Sequence, residues 1–471
     1  ARDETASRIV RSLWVVAATS CRWTTTTTMA WRSGLVTRKE AWLAGKKKDL
    51  VVSVGNSGGD LDTIASAIAA AHLMEGVAMA PFRREELALR RDAAQILKFC
   101  GFEFREDGSV AELAYADEVA PRDGSKVALT DHNKLDPRLP FGADAEVIAI
   151  FDHHADENSH ASAFPRDVDP AAGSACTLLG ERLVLECRKH KFKSSVETYN
   201  AAPPPKELLA LVASAIALDT RGFDPKQLKY SPRDVRVCHG IFDALEDNLQ
   251  KPETDDDDVL DEEDDDDDEA LQIALEELWQ RKLAPVLAFR GAKTVVELGK
   301  ALEHARHDVS DLSGAQILRM DFKQATVEGT SLDVGIAGSL LTFKDLTPKI
   351  ADMRQSLLDL AKDKNLALSI VMTETDKSLS PPSRTFAYVT DPDKLPATFG
   401  PALEAAILAV PGNLPDDLKA LPLFKTQGIL DAGFRASFSD FSPGVRHTLV
   451  PGEITRKTTL PTLLHFAKDL L

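Results

Sequence analysis

Short apolar runs alternating with helical patterns predict an α/β chain of two domains, the first built on a parallel sheet. Three observations carry this. Leu50-Val51-Val52-Ser53-Val54 is an apolar run broken by the glycine-bearing turn Asn56 to Asp62, and the alanine-rich helix Thr63 to Ala71 follows. Val77 to Phe82, Val127 to Thr130 and Val147 to Phe151 repeat the strand pattern. An acidic run, Glu253 to Glu269, then precedes a second α/β pattern that starts near residue 295.

In chain order, residues 1–47 read as a disordered or targeting segment, or as translated upstream sequence with Met29 as the start. The Thr24–Thr28 run among Arg, Ser and Trp gives that bias. Gly76 stops the first helix, Glu85 to Phe99 is expected as one amphipathic helix, and Gly101 closes it. Gly173-Ser174-Ala175 opens a helix to about His190, and Glu207 to Leu218 is a nearly apolar, buried helix. The acidic run carries two apolar residues and is expected to be disordered. Ala270 to Leu283 is a helix, Leu366 to Met372 and Thr385 to Val389 are strands, and Ala402 to Ala409 is a helix. The expected division is 48–290 for the first domain and 298–471 for the second, smaller one.

The net charge is −18, but fourteen acids lie in the 253–269 run, leaving −4 for the rest. Acidity therefore does not exclude a polyanionic substrate. No stretch approaches the roughly 20 apolar residues that cross a bilayer. The five cysteines are scattered without CxxC spacing, which fits buried thiols better than disulfides or zinc ligands.

Chemistry gathers at strand ends. Asp60 and Asp62 follow the first strand, Asp131-His132-Asn133 follows Val127 to Thr130, and Asp152-His153-His154 follows Val147 to Phe151. Asp219 ends the buried helix. Each alone reads as a cap or loop residue. Together they bring carboxylates and imidazoles to one edge of one sheet, where parallel sheets bind ligands. Oxygen donors of this kind hold hard divalent cations.

Asn56…Asp60-x-Asp62, Asp131-His132-Asn133, Asp152-His153-His154 and Asp219 resemble the four motifs of the DHH phosphoesterase superfamily. Asp321-Phe322-Lys323 and Thr455-Arg456-Lys457 resemble the signatures of its DHHA2 domain. The resemblance covers roughly 50–471 and implies a cleft between the domains as the active site. Asn at position 56, where the family II pyrophosphatases place His, and the Asp131-His132-Asn133 triplet point within it to a fungal-type exopolyphosphatase.

The resemblance implies that Asp60, Asp62, Asp131, His153 and Asp219 bind two divalent metal ions, Mg²⁺ or Mn²⁺. It also implies that a hydroxide bridging them removes the terminal phosphate of inorganic polyphosphate. Asp131, His154, Lys323 and Arg456 are then the catalytic candidates. Asn56, His132, His154, Lys323, Arg456 and Lys457 are the substrate-binding candidates. Asn56, offering a neutral amide oxygen, is expected to lean the site towards Mg²⁺. Arg83, Arg84, Lys349, Arg354, Arg384 and Arg446 are candidates for a basic channel. The alternatives are a pyrophosphatase-like or short-chain enzyme, and a prune-like interaction protein of weak activity; the intact Asp152-His153-His154 speaks against the latter. A monomer without nucleic-acid or membrane partners is expected, cytoplasmic, or mitochondrial if the N-terminal segment is a transit peptide.

Overall fold

A computed structural model describes residues 25–192 (except 121, 122 and 143), 203–249 (except 228), 268–403 (except 351, 381 and 402), 439–442, 445–451 and parts of 459–468. Six parallel strands form the first sheet: β1 (Val51–Val54), β2 (Val77–Ala80), β3 (Ala114–Tyr115), β4 (Lys126–Thr130), β5 (Glu146–Asp152) and β6 (Arg166–Val168). Their order is β3-β2-β1-β4-β5-β6, with β1 paired to both β2 and β4. The chain thus leaves the sheet in opposite directions from β1, and a crevice opens between the carboxyl ends of β1 and β4. Valines, alanines and leucines bury these strands on both faces, as helix-covered parallel strands require.

The helices of this layer are α1 (Thr25–Leu43), α2 (Leu61–Leu73), α3 (Arg91–Phe99), α4 (Ala175–Phe192), α5 (Lys206–Asp219), α6 (Pro232–Leu245), α7 (Asp268–Gln280) and α8 (Val295–His307). The residues of α2, α4, α5 and α6 make one apolar core with the sheet. α8 belongs to it as well. Its Val295, Leu298, Leu302 and Ala305 are buried in that core.

The N-terminal expectation needs correcting from residue 25 onward. α1 packs on the domain through Leu35 and Trp42, each 1% exposed. Between them the Lys39 ammonium donates to the carbonyls of Ala111 (2.5 Å) and Leu113 (3.3 Å). Helical spacing of i, i+4 and i+7 places these three side chains on one face. The single helix expected over Glu85–Phe99 is likewise two: a 3₁₀ turn at Arg84–Leu89 and then α3. Arg90 leaves helical geometry between them (ψ 79°), and its guanidinium turns under the ring of Phe82 and bonds to the Gly58 carbonyl. β3, β6 and α6 were not anticipated from sequence.

The second sheet has the order β11-β12-β10-β9-β8-β7, from β7 (Phe322–Thr326), β8 (Asp333–Gly338), β9 (Leu366–Met372), β10 (Ser383–Thr390), β11 (Ser439–Ser442) and β12 (Val445–Pro451). Only β8 and β9 pair in parallel. α9 (Gly314–Met320) and α10 (Met353–Lys364) pack against it. Charged contacts cross between the domains: Arg91 with Asp311, Lys364 with Glu86 (3.4 Å), and Arg83 with Asp363 (3.3 Å), which Arg319 of the second domain also holds (2.7 Å). The acidic run up to Asp267 and most of the helix expected at 402–409 lie outside the described residues. Among the described residues, no helix is long and apolar enough to cross a membrane. The four described cysteines are buried and free.

Candidate metal centre

Beyond β1 the chain turns through Asn56 to Gly59. Asn56 Oδ1 accepts the Gly58 N–H (2.8 Å), which orients the amide so that Nδ2 donates to the Asp131 carboxylate (2.5 Å) and carbonyl (3.1 Å). A flipped amide would set two donors against each other. Asn56 therefore offers the cluster a donor, not the ligand oxygen expected from sequence. Gly59 has φ +63°, and a Cβ there would meet Phe82 at 2.4 Å and Arg90 Nε at 2.8 Å. Glycine is needed for both reasons.

Asp60 caps α2, accepting the Thr63 N–H (3.0 Å). Burial pushes its carboxyl up, but Arg306, the Thr63 N–H and Lys323 outweigh this and hold it low. Asp62, one step into α2, is buried against the N-terminus of α4. It accepts the Ser174 hydroxyl (2.6 Å) and the N–H groups of Ala175 (2.8 Å) and Cys176 (2.9 Å). Free helix N–H groups suit a carboxylate. Burial and the neighbouring Asp131 nevertheless raise Asp62 to about 6.

Asp131 follows β4 directly with φ +60°, and its N–H bonds to the Phe151 carbonyl (2.9 Å). That left-handed turn costs on the order of 1 kcal/mol for a non-glycine residue. It lays one carboxylate oxygen on Asn56 and the Thr63 hydroxyl (2.6 Å). The other oxygen stands 3.2 Å from His153 Nε2 and 3.5 Å from His154 Nδ1.

The two histidines are oriented from behind. His153 Nδ1 donates to the Ala172 carbonyl (3.2 Å), which turns Nε2 to the acids. Burial alone would lower this imidazole, but Asp131 and Asp62 raise it to about 10. His154 Nδ1 bonds to buried Asp152 (2.9 Å), whose other oxygen accepts the Asn133 amide (2.5 Å). Carboxylate or carbonyl partners of this kind fix the tautomer that frees the opposite nitrogen for a ligand. One ligand atom each from Asp131, His153 and His154 lies within 4.8 Å of the others.

Asp219, the last residue of α5, has a buried Oδ2 without a hydrogen-bond partner. Burial, Asp62 and Asp60 push its carboxyl far above the ordinary range. Asn56, Asp60, Asp62, Asp131, His153, His154, Asp219 and Lys323 line one cavity of about 400 Å³, together with Lys229, Tyr230 and residues 170–173. Four clustered carboxylates, one with an orphaned oxygen, and a histidine nitrogen aimed among them form a donor set that fits divalent cations.

Lys323, on β7, is the second domain's contribution; its Cε lies 3.5 Å from where a Gly58 Cβ would stand. His132 is not brought there. Its Nδ1 bonds to the Thr130 carbonyl (2.9 Å), and it does not line the cavity, because the left-handed turn at Asp131 sends the next side chain elsewhere. Arg456 and Lys457 lie outside the described residues. Of the channel candidates, Arg83 is paired with Asp363, Arg84 with Asp117 (2.9 Å), and Lys349 with the Ser310 carbonyl (2.8 Å). Arg354 is exposed, and the Arg446 side chain lies outside the described residues. Arg384 lines a second cavity of about 350 Å³, with Arg221, Arg306 and Lys229. Lys229 lines both cavities. Sequence reasoning missed Lys229, Tyr230, Arg306 and Thr63, none of which sits in a motif.

Residues 50–216 match the DHH family, N-terminal domain, and residues 300–464 match the DHHA2 domain. The chain belongs to the DHH family and carries a DHHA2 domain. A Schizosaccharomyces pombe protein named "Putative exopolyphosphatase" is 27% identical over 198 residues, 40% of this chain and 48% of that protein. "Exopolyphosphatase PRUNE1" of Mus musculus is 23% identical over 337 residues, 69% of this chain and 60% of that protein. This DHH chain thus spans less than two thirds of either relative's length. A Methanococcus jannaschii crystal structure described as a "putative family II inorganic pyrophosphatase" covers 88% of this chain and 99% of its own, with a TM-score of 0.50 and 16% identity. At that identity the likeness is one of fold. Asp60, Asp62, Asp131 and His153 all fall within the DHH match, and Lys323 falls within the DHHA2 match.

Proposed function

We propose that this chain is a metal-dependent exopolyphosphatase that hydrolyses the terminal phosphate from inorganic polyphosphate. The observation that supports it is one cavity in which the acids of three strand and helix ends face a lysine from the second domain. Asp60, Asp62, Asp131, His153 and Asp219 would hold two divalent cations, Mg²⁺ or Mn²⁺. Such ions neutralise phosphoryl charge and bring the pKa of bound water towards neutrality.

The chain's own residues supply the rest. Asn56 and Thr63 fix Asp131 so that its free oxygen faces the histidines. Asp152 holds His154 Nδ1, so the imidazolium form would donate its far N–H to a terminal phosphoryl oxygen. Lys323 brings a point charge to the same group. A leaving phosphate is already anionic, so placing positive charge beside it accounts for most of the work. Lys229 also lines the second cavity, whose Arg306 and Arg384 would accept further phosphates of a chain.

Asn56 and the exopolyphosphatase names of the relatives favour a long chain over pyrophosphate. Phosphate release from pyrophosphate, tripolyphosphate and long-chain polyphosphate, each with Mg²⁺ and with Mn²⁺, tests the reading. Long chains are the expected best substrates. Pyrophosphate as the best substrate overturns the proposal in favour of a pyrophosphatase-like enzyme, and no release from any of them favours an interaction protein.

A further inference from the structure

We propose that Asp234 is a positioning residue that fastens two walls of the metal cavity together, acting on His153 through one and on Lys229 through the other. Asp234 is fully buried near the start of α6. Its ordinary role there is half of a capping box with Ser231, whose N–H (2.6 Å) and hydroxyl (2.8 Å) it accepts. That role leaves most of its hydrogen bonds unexplained. The carboxylate also accepts the Gly173 N–H on both oxygens (3.0 and 2.9 Å) and the Thr177 hydroxyl (2.5 Å). These donors are 61 and 57 residues away in sequence. A carboxylate buried among neutral donors alone is costly for a simple helix cap, since burial disfavours its charge.

The bonds lead to the site in two directions. Gly173 follows Ala172, and the Ala172 carbonyl is the acceptor that turns His153 Nε2 to the acids. Ala172 and Gly173 themselves line the cavity. On the other side, Ser231 follows Lys229 and Tyr230, which line the facing wall. The walls touch at Gly173: a Cβ there would lie 2.6 Å from the Lys229 carbonyl, 2.9 Å from Thr220 Cγ2 and 3.2 Å from Asp234 Oδ2. Thr220 is the neighbour of Asp219. One carboxylate thus sets the spacing between the loop that orients a histidine and the loop that carries Lys229. Groups that orient a ligand from behind, when removed, weaken metal binding by roughly 10–100-fold.

This inference rests on the reading of the cavity as a metal site, and the test separates the two. The probes are Mn²⁺, titrated calorimetrically into the metal-free chain, and Co²⁺, followed by its visible absorption. Asp234→Asn keeps size but sets an amide N–H₂ against donors. It is expected to weaken Mn²⁺ binding about tenfold or more, shift the Co²⁺ spectrum, and raise KM for long-chain polyphosphate. Ser313→Ala, which breaks the equivalent capping box at the start of α9 and does not line the cavity, is the comparison. It is expected to lower thermal stability and leave the Mn²⁺ affinity and Co²⁺ spectrum as in wild type. Should Asp234→Asn not fold, Thr177→Val removes one fixing bond more gently and is expected to weaken Mn²⁺ several-fold. A folded Asp234→Asn chain, or failing that Thr177→Val, with wild-type affinity and spectrum overturns the inference. Wild-type protein that binds neither Mn²⁺ nor Co²⁺ overturns the metal reading and the inference with it.

Discussion

Asp131 meets Asn56, Thr63, His153 and His154 with one carboxylate, and its geometry sets the first expectation. Asn56 and Thr63 hold one oxygen and His153 and His154 face the other. Asp131→Asn would place an N–H₂ against these donors. We expect phosphate release to fall at least 100-fold and Mn²⁺ stoichiometry to drop; residual release near wild type would mean that the activity belongs to another site. His153 gives a pH signature. Raised to about 10 in the metal-free chain, it gives stability that is full below its unfolded value of 6.5 and is lost as pH rises through 10. At pH 8 it is protonated, so a cation that takes Nε2 must expel that proton. Calorimetric Mn²⁺ binding at pH 8 should differ between HEPES and Tris by the difference in the buffers' ionisation enthalpies for each proton expelled, with His153 and the raised Asp219 as sources. Below pH 6 the raised Asp62 should add a further proton. A buffer-independent enthalpy at pH 8 would contradict this assignment. Asn56→His tests the other side of the cluster. The amide now donates to Asp131, so an imidazole would add a ligand nitrogen where none exists, and Mn²⁺ affinity should rise relative to Mg²⁺.

Elements show why some of this was legible in the sequence and some was not. Asp60, Asp62, Asp131, His153 and Asp219 could be read because each ends an apolar strand or starts or ends an apolar helix, and parallel sheets gather such ends along one edge. His132 was misplaced because a left-handed residue precedes it, and nothing in Asp-His-Asn announces φ +60°. Lys229 and Asp234 could not be singled out, since the contacts that bring them to the site are made across the fold, about 60 residues away in Asp234's case. α1 is the instructive miss. A threonine run suggested an unstructured leader, yet Leu35, Lys39 and Trp42 stand at helical spacing and all three are buried. Truncating a fully buried Trp leaves a cavity that costs about 3–5 kcal/mol. Trp42→Ala should therefore lower the thermal midpoint by several degrees while changing KM little; an unchanged midpoint would mean that α1 does not dock.

Across the whole molecule the work is divided between domains: the DHH domain holds the acids and histidines, and the DHHA2 domain delivers Lys323. Interdomain ion pairs such as Arg83–Asp363 and Arg91–Asp311 are partly exposed, so each contributes about 0–1 kcal/mol and none alone fixes the cleft. The division predicts opposite outcomes for two substitutions. Lys323 lowers the carboxyl of Asp60 by its charge, so it competes with any cation for the same oxygens. Removing it in Lys323→Ala should leave Mn²⁺ affinity unchanged or tighter, whereas Asp131→Asn weakens it. The same Lys323→Ala chain loses a charge beside the phosphoryl group, and its kcat/KM should fall about 100-fold, equivalent to about 2.7 kcal/mol of transition-state stabilisation. Metal affinity and turnover would then move in opposite directions in one variant. If Lys323→Ala weakened Mn²⁺ as far as Asp131→Asn does, the lysine would be acting through the fold of the cleft rather than on the substrate, and the two domains would not share the labour in this way.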